Sequence, residues 1–228
     1  ADIKALRVSG AAQRLDYVYE AVRLIRREMD GKRALIGFAG APFTVASYMI
    51  EGGPSDHYRI AKAMMTDRPD MWDALMRKVR TVTAEYLEAQ VKAGAQAVQW
   101  FDSWIGALRP EQYRRHVRPH SAWVLKRLEK TGVPVISFGT GTNGFLKDFA
   151  TAGGSVIGVD WRIDLDGARR CLGSKAIQGN LDPIILFSQK KALKAAIKDI
   201  VDRNAGRRGH IFTQGHGILP TTPVDNVK

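Results

Sequence analysis

The sequence predicts an α/β protein built on parallel strands, and three observations predict it. Six short apolar runs alternate with helical patterns along 228 residues. Such alternation calls for crossover connections, hence parallel pairing. The runs are apolar at nearly every position, as in strands buried on both faces. Glycines follow them, at Gly40, Gly106, Gly139, Gly144, Gly179, Gly215 and Gly217, and the out-of-pattern polar residues gather at the same ends. Those are C-terminal strand ends, where ligands bind in open α/β sheets and in barrels alike. On pattern alone a doubly wound sheet and a (β/α)8 barrel both stay open.

The elements follow in order. Leu15, Val18, Val22 and Ile25 recur at helical spacing. The first strand, 34–39, lies in LIGFAGAPFTVASYMIEGG. It breaks at Gly40-Ala41-Pro42 and restarts as a helix carrying Tyr48, closed by Gly52-Gly53-Pro54. A helix N-terminus there suits an anion, but a tight strand-to-helix turn is the plainer reading. Helices follow at 56–65 and 69–93. The second opens at Asp67-Arg68-Pro69 and ends at Gly94, a C-cap residue. The remaining strands are 95–101, 133–138, 155–160, 175–179 and 210–214. Helices at 110–130, 145–151, 165–172 and 190–203 separate them, and Thr222-Pro223 starts another. No internal repeat is present.

Composition narrows the function. The length fits one barrel-sized domain or two small ones. A hydrophobic fraction of 45% supports a sizeable core, and no run is long enough to span a membrane. The single cysteine, Cys171, excludes a disulfide framework and most thiolate metal sites. It fits a reducing compartment. The net charge of +12 reads as a solvated basic surface or as suited to an anionic ligand such as a polycarboxylate or phosphate. Nucleic acid is the weaker partner, since no lysine block or aromatic-interleaved basic stripe occurs. The chain starts at Ala1 without methionine, and both ends read as cut.

Several strand ends carry chemistry. In QWFDSW, Asp102 is expected to meet a basic residue, and Ser103 either donates to a carboxylate or caps a helix. Asp160 ends VIGVD. GTGTNG at 139–144 has the wrong spacing for a dinucleotide fingerprint, although Asp160 imitates its acidic partner. Asn180 and Asp182 in QGNLDP favour a turn. His216, between two glycines after the last strand, reads as facing a ligand rather than a core. Tyr48 taken alone reads as packing. His116 and His120 stand four apart on a helix, a possible metal pair, but Pro119 intervenes and no H-E-x-x-H pattern exists, so they read as surface residues. Zinc signature, nucleophile elbow and Walker loop are all missing from the sequence.

Taken together, GFAGAPFTVASYMIEGG, QWFDSW, VIGVDW, QGNLDP and GHGILPTTPVDN resemble the uroporphyrinogen decarboxylase family, in order, over essentially all 228 residues. The resemblance implies a (β/α)8 barrel, a cytoplasmic homodimer when complete, and no cofactor or metal. It implies loss of carbon dioxide from the four acetate side chains of uroporphyrinogen III, giving coproporphyrinogen III in haem synthesis. Tyr48, Ser103 and His216 match the family's substrate-binding positions. Phe38 and Phe101 match apolar positions that wall the tetrapyrrole. The six strands correspond to strands three to eight, so residues 1–228 are expected to form one partial barrel domain. The family's aspartate at the end of strand two, its arginines in an R-Q-A-G-R-like loop after strand one, and its terminal helix have no counterpart here. No catalytic residue is therefore assigned within the chain. An open arc has two unpaired edges and an uncovered interior, so low stability and little activity are expected of these 228 residues alone. Two rivals stand beside this reading. Barrel methyltransferases of corrinoids or thiols hold zinc through His and Cys after late strands, where this chain has Gly139-Thr140-Gly141 and Gly215-His216-Gly217 without Cys. A non-catalytic basic tetrapyrrole-binding module is the other.

Overall fold

The computed structural model describes residues 3–228. Six strands form one sheet: β1 Ile36–Gly40, β2 Ala97–Asp102, β3 Val135–Gly139, β4 Val156–Gly158, β5 Ala176–Leu181 and β6 His210–Gln214. All neighbours pair in parallel, in the order β1-β2-β3-β4-β5-β6. That order chooses between the two architectures. A doubly wound sheet must reverse direction from an inner strand. Here every strand pairs with the next, so right-handed crossovers place all helices on one face. That is the (β/α)8 barrel arrangement, with six successive strands and an α-helix after each of the first five.

The register defines the two faces, because paired residues on neighbouring strands point the same way. Ala39, Trp100, Ser137 and Ile157 form one row. It packs beneath the helices, and Trp100 Nε1 donates to Ser137 Oγ at 2.7 Å. Phe38, Gln99 and Ile136 form a row on the other face, as do Phe101, Phe138, Gly158 and Gln178. Gln178 Nε2 donates to Gln99 Oε1 at 3.2 Å. These residues sit on β5 and β2, three strand spacings or roughly 14 Å apart in a flat sheet. Their contact shows the sheet curling around this face, which is the barrel interior. At the two edges the interior is uncovered. Ile36 and Phe38 on β1 are 44% and 61% exposed and Ile211 on β6 42%, while Phe212, 40% exposed, lies on the outer face of the same edge strand.

The helices are α1 Asp16–Met29, α2 Pro42–Glu51, α3 Arg59–Asp67, α4 Pro69–Lys92, α5 Pro110–Gln112, α6 Arg118–Glu129, α7 Leu146–Thr151, α8 Leu165–Leu172 and α9 Lys190–Asn204. Among them, α4 packs against α6 around Leu87, Val124, Leu125 and Leu128, all fully buried.

Four expectations are corrected. The helix expected at 110–130 is interrupted by a wide π-helical turn, Tyr113–Val117. Pro119 has no N–H to donate and its ring crowds the carbonyl four residues back, so the ordinary ladder cannot run through. His120 is consequently not a surface residue. It is 4% exposed, its Nε2 lies 3.3 Å from Asp73 Oδ1, and its Nδ1 lies 3.3 Å from an Arg80 nitrogen. Asn180 is not in a turn but in β5, where its amide donates to the Asp160 and Ile163 carbonyls. Thr222-Pro223 leads only into a short 3-10 turn, Val224–Asn226.

Candidate active site

Alternation along the strands brings one ring from each of β1, β2 and β3 to the interior near the C-terminal ends. Phe38 meets Phe101 edge-on at 6.2 Å, Phe101 meets Phe138 at 5.7 Å, and Phe138 meets the His216 ring at 6.3 Å. Edge-to-face contacts at these separations are the favourable ones. Two glycines make the row possible. A Cβ on Gly158 would lie 2.8 Å from the Phe138 ring, so only glycine lets that ring lie across β4. A Cβ on Gly215 would lie 2.5 Å from the Trp161 nitrogen. Gly215 thus lets the chain leaving β6 press against the β4 loop, with its N–H on the Leu181 carbonyl at 2.7 Å, and this delivers His216 to Phe138.

A polar rim adjoins this wall. The Tyr48 hydroxyl on α2 accepts from Trp104 Nε1 at 2.8 Å, the rings edge to face. The Trp104 backbone N–H reaches Thr44 Oγ1 at 3.4 Å, and Thr44 Oγ1 donates to Asp102 Oδ1 at 2.9 Å. Asp102 therefore links the end of β2 to α2 through a hydroxyl; it meets no basic residue, contrary to expectation. Its carboxyl is fully buried and Oδ2 has no hydrogen-bond partner. Burial pushes its pKa up to about 7, the Thr44 bond opposing only in part.

Ser103 does not cap a helix. The next 3-10 turn, Ile105–Ala107, starts from Trp104 without a side-chain cap. The Ser103 carbonyl accepts from the Thr140 hydroxyl, which ties the β2 loop to the β3 loop. Ser103 lines a cleft of about 530 Å³ together with Trp104, Thr140, Gly141 and Arg162. Asp160, buried behind the cleft, holds two of these lining residues, Gly141 and Arg162. Oδ2 accepts from the Gly141 N–H at 2.8 Å and from Arg162 Nη1 at 2.5 Å, and Oδ1 from the Arg162 N–H at 3.1 Å. Asp160 is thus engaged by the protein and does not take the place of a nucleotide-binding acid.

The structure places Phe38, Phe101 and His216 in one aromatic row, with Tyr48 and Ser103 on the adjoining rim. The links between them, Phe138 and Trp104, and the cation Arg162 are not among the residues expected from sequence. A signal existed for Phe138, which precedes Gly139 at a strand end much as Phe38 precedes Gly40. The arrangement offers an apolar wall of rings set edge to face, hydrogen-bonding groups beside it and one cation in the cleft. Among the described residues, no group of three or more His, Cys, Asp or Glu is placed to hold a metal ion, and no helix is long and apolar enough to cross a membrane.

Comparison with known proteins adds three findings. The family described as "Uroporphyrinogen decarboxylase (URO-D)" matches residues 1–228. The chain is 53% identical to the uroporphyrinogen decarboxylase of Sorangium cellulosum, covering 100% of this chain and 66% of that one. It is 48% identical to that of Carboxydothermus hydrogenoformans, covering 100% and 65%. The chain therefore spans about two thirds of the length of these relatives. Among solved structures, a methyltransferase from Methanosarcina mazei superimposes with a TM-score of 0.85 at 21% identity, over 99% of this chain and 66% of that one, which is a likeness of fold.

Proposed function

Because this chain belongs to the uroporphyrinogen decarboxylase family, we propose that the protein carrying it converts uroporphyrinogen III to coproporphyrinogen III in haem synthesis, without a cofactor. Each acetate side chain takes up a proton and loses its carboxylate as carbon dioxide, so that –CH2COO⁻ and H⁺ become –CH3 and CO2. Protonating a pyrrole carbon creates an electron sink next to the acetate. The electron pair of the breaking C–C bond flows into the ring, the resulting exocyclic methylene is protonated to the methyl, and the ring carbon then gives back the proton it first took, so that one proton is consumed in all. A carboxylate facing the ring stabilises the cation by charge. That carboxylate and the arginines of the first family loop are assigned to barrel strands one and two, outside these 228 residues, which form one partial domain of strands three to eight.

The residues here bind and position. The observation that carries the reading is the row Phe38–Phe101–Phe138–His216 at the C-terminal strand ends. It is an apolar wall for a flexible, pyrrole-based macrocycle. Tyr48 and Ser103 hold carboxylate side chains at its edge and keep the reacting ring in register, which is orientation rather than proton transfer. The excess positive charge draws in an octacarboxylate. A cytoplasmic homodimer completes the proposal.

The test is anaerobic incubation of the full-length protein with uroporphyrinogen III, followed by oxidation and chromatographic separation of the porphyrins. Sequential loss of four carboxyls, ending in coproporphyrin, is expected. Recovery of unchanged uroporphyrin would overturn the reading, and binding of the porphyrin without turnover would favour a tetrapyrrole-binding module instead.

A further inference from the structure

We infer that Arg162 grips a carboxylate that the substrate keeps, a propionate, and so anchors the macrocycle while its acetates react. The inference rests on the decarboxylase reading and adds to it a residue and the side chain it takes.

Arg162 is held in place from two sides. The buried Asp160 carboxylate engages both its Nη1, at 2.5 Å, and its backbone N–H, at 3.1 Å. Its guanidinium lies over the Trp161 ring, 4.1 Å from the centroid. A stacked, ion-paired guanidinium has little rotamer freedom left to lose when a ligand binds, and its planar fork matches a carboxylate. A purely structural counter-ion for Asp160 would be drawn in with it. Instead the two side chains differ sharply: Asp160 is 0% exposed and Arg162 50%. Asp160 already receives two backbone N–H groups, from Gly141 and Arg162, so part of its charge is balanced without the guanidinium. The exposed part of Arg162 borders the cleft that Ser103 and Thr140 line. Among the described residues, no other Lys or Arg borders that cleft. The one acid there, Asp56, repels a carboxylate at its own end, which favours the Arg162 end.

Chemistry then selects which carboxylate. A departing acetate gives its charge up to the ring as its C–C bond breaks. A fixed arginine holds the charged ground state more tightly than that transition state and so slows the loss. A propionate keeps its charge throughout, so an ion pair with it costs the reaction nothing.

The experiment uses the full-length protein and the variants Arg162→Met and Arg162→Lys, each checked for unchanged melting temperature. Coproporphyrin, whose only carboxylates are the four retained propionates, is titrated into each and followed by its absorbance. Dissociation constants about tenfold higher for Arg162→Met, and intermediate for Arg162→Lys, are expected, consistent with the loss of one charge-assisted pair. With uroporphyrinogen and its heptacarboxylate and pentacarboxylate intermediates, KM should rise by a similar factor for all three, while kcat stays within about twofold. Unaltered coproporphyrin binding would overturn the inference, as would a KM defect that fades as acetates are removed, which would assign Arg162 to an acetate. A wild-type protein that does not turn over uroporphyrinogen fails the broader reading, a result separate from either.

Discussion

Asp102 keeps one oxygen on the Thr44 hydroxyl and leaves the other without a partner, in a position closed to solvent. Thr44 comes to it from α2, and from the π-helical turn comes Tyr113, whose own hydroxyl has no partner and whose pKa is raised by burial first and by the Asp102 charge second. Ionising Asp102 therefore works against the fold. With a pKa raised from the ordinary carboxylate range to about 7, the folded state holds a proton between pH 4 and 7 that the unfolded chain gives up. Stability from this group is full below pH 4 and is lost as pH rises through 7. In Asp102→Asn the group no longer titrates. Unfolding free energies from denaturant titrations at pH 5 and pH 8 should shift in favour of the variant by roughly 2–4 kcal/mol at the higher pH; parallel curves for the two proteins would refute this. The sequence shows an aspartate at a strand end but not which face it takes, and the hydroxyl that meets it lies 58 positions away. His216 was legible because glycines on both sides mark a residue placed by its loop. Trp104 and Arg162 were not, because an indole or guanidinium next to a strand end looks the same in sequence whether it faces a cleft or solvent.

Strands were easier to read than helices, and α4, α6 and the loops around the cleft show why. A buried parallel strand is marked by consecutive apolar residues, and all six appear within a few positions of where the pattern puts them. The π-helical turn before α6 is marked only by Pro119, which breaks the ordinary ladder without saying that the chain stays helical through the break. Its consequence is the burial of His120 against Asp73 and Arg80 of α4, with Arg80 lying 4.6 Å from the Trp123 ring. Burial, then the Arg80 charge, hold the His120 pKa down to about 4. Its contribution to stability is full above pH 6.5 and is lost as pH falls toward 4, on the order of 2 kcal/mol once solvent screening is allowed for. This slope opposes that of Asp102, so the wild-type protein should be nearly flat between pH 4.5 and 6.5. Replacing His120 by Gln should uncover a stability that falls with rising pH, and Asp102→Asn one that rises. A wild-type curve as steep as either variant would show that one of the two groups does not titrate as described. The loops offer a separate test. A Cβ on Gly106 would lie 2.6 Å from the Thr140 carbonyl oxygen and 2.7 Å from Gly141 Cα, and backbone cannot swing aside as a side chain can. Gly106→Ala should push the β2 and β3 loops apart and, under the function proposed above, raise the full-length protein's KM for uroporphyrinogen about tenfold or more with an unchanged circular dichroism spectrum. Wild-type kinetics would mean that the two loops need not touch.

For the molecule as a whole, the order of the strands carried information that the pattern of the strands did not. Apolar runs alternating with helices suit an open sheet and a barrel equally; pairing of each strand with its successor is a non-local fact, set by where the curled sheet lets Gln99 and Gln178 meet. The curl leaves β1 and β6 each with an unpaired edge and exposes Ile36, Phe38, Ile211 and Phe212 beside them. Unpaired N–H and C=O groups next to an apolar surface template association with another chain. The 228-residue chain on its own should therefore form species that grow with concentration in sedimentation velocity, and should unfold at low urea. Its charge of +12 works the other way, since like-charged copies repel. Salt separates these effects. Screening removes the repulsion and leaves edge pairing and apolar contact in place, so association should strengthen from 0.05 to about 0.5 M salt. Association driven by bound polyanion would weaken over the same range. Ile36→Lys and Ile211→Lys, one at each edge, should reduce the association without loss of strand content, because a charge on an edge strand resists burial in a second interface. A monodisperse monomer that unfolds cooperatively at ordinary urea concentrations would show instead that six strands close enough of the barrel to stand alone.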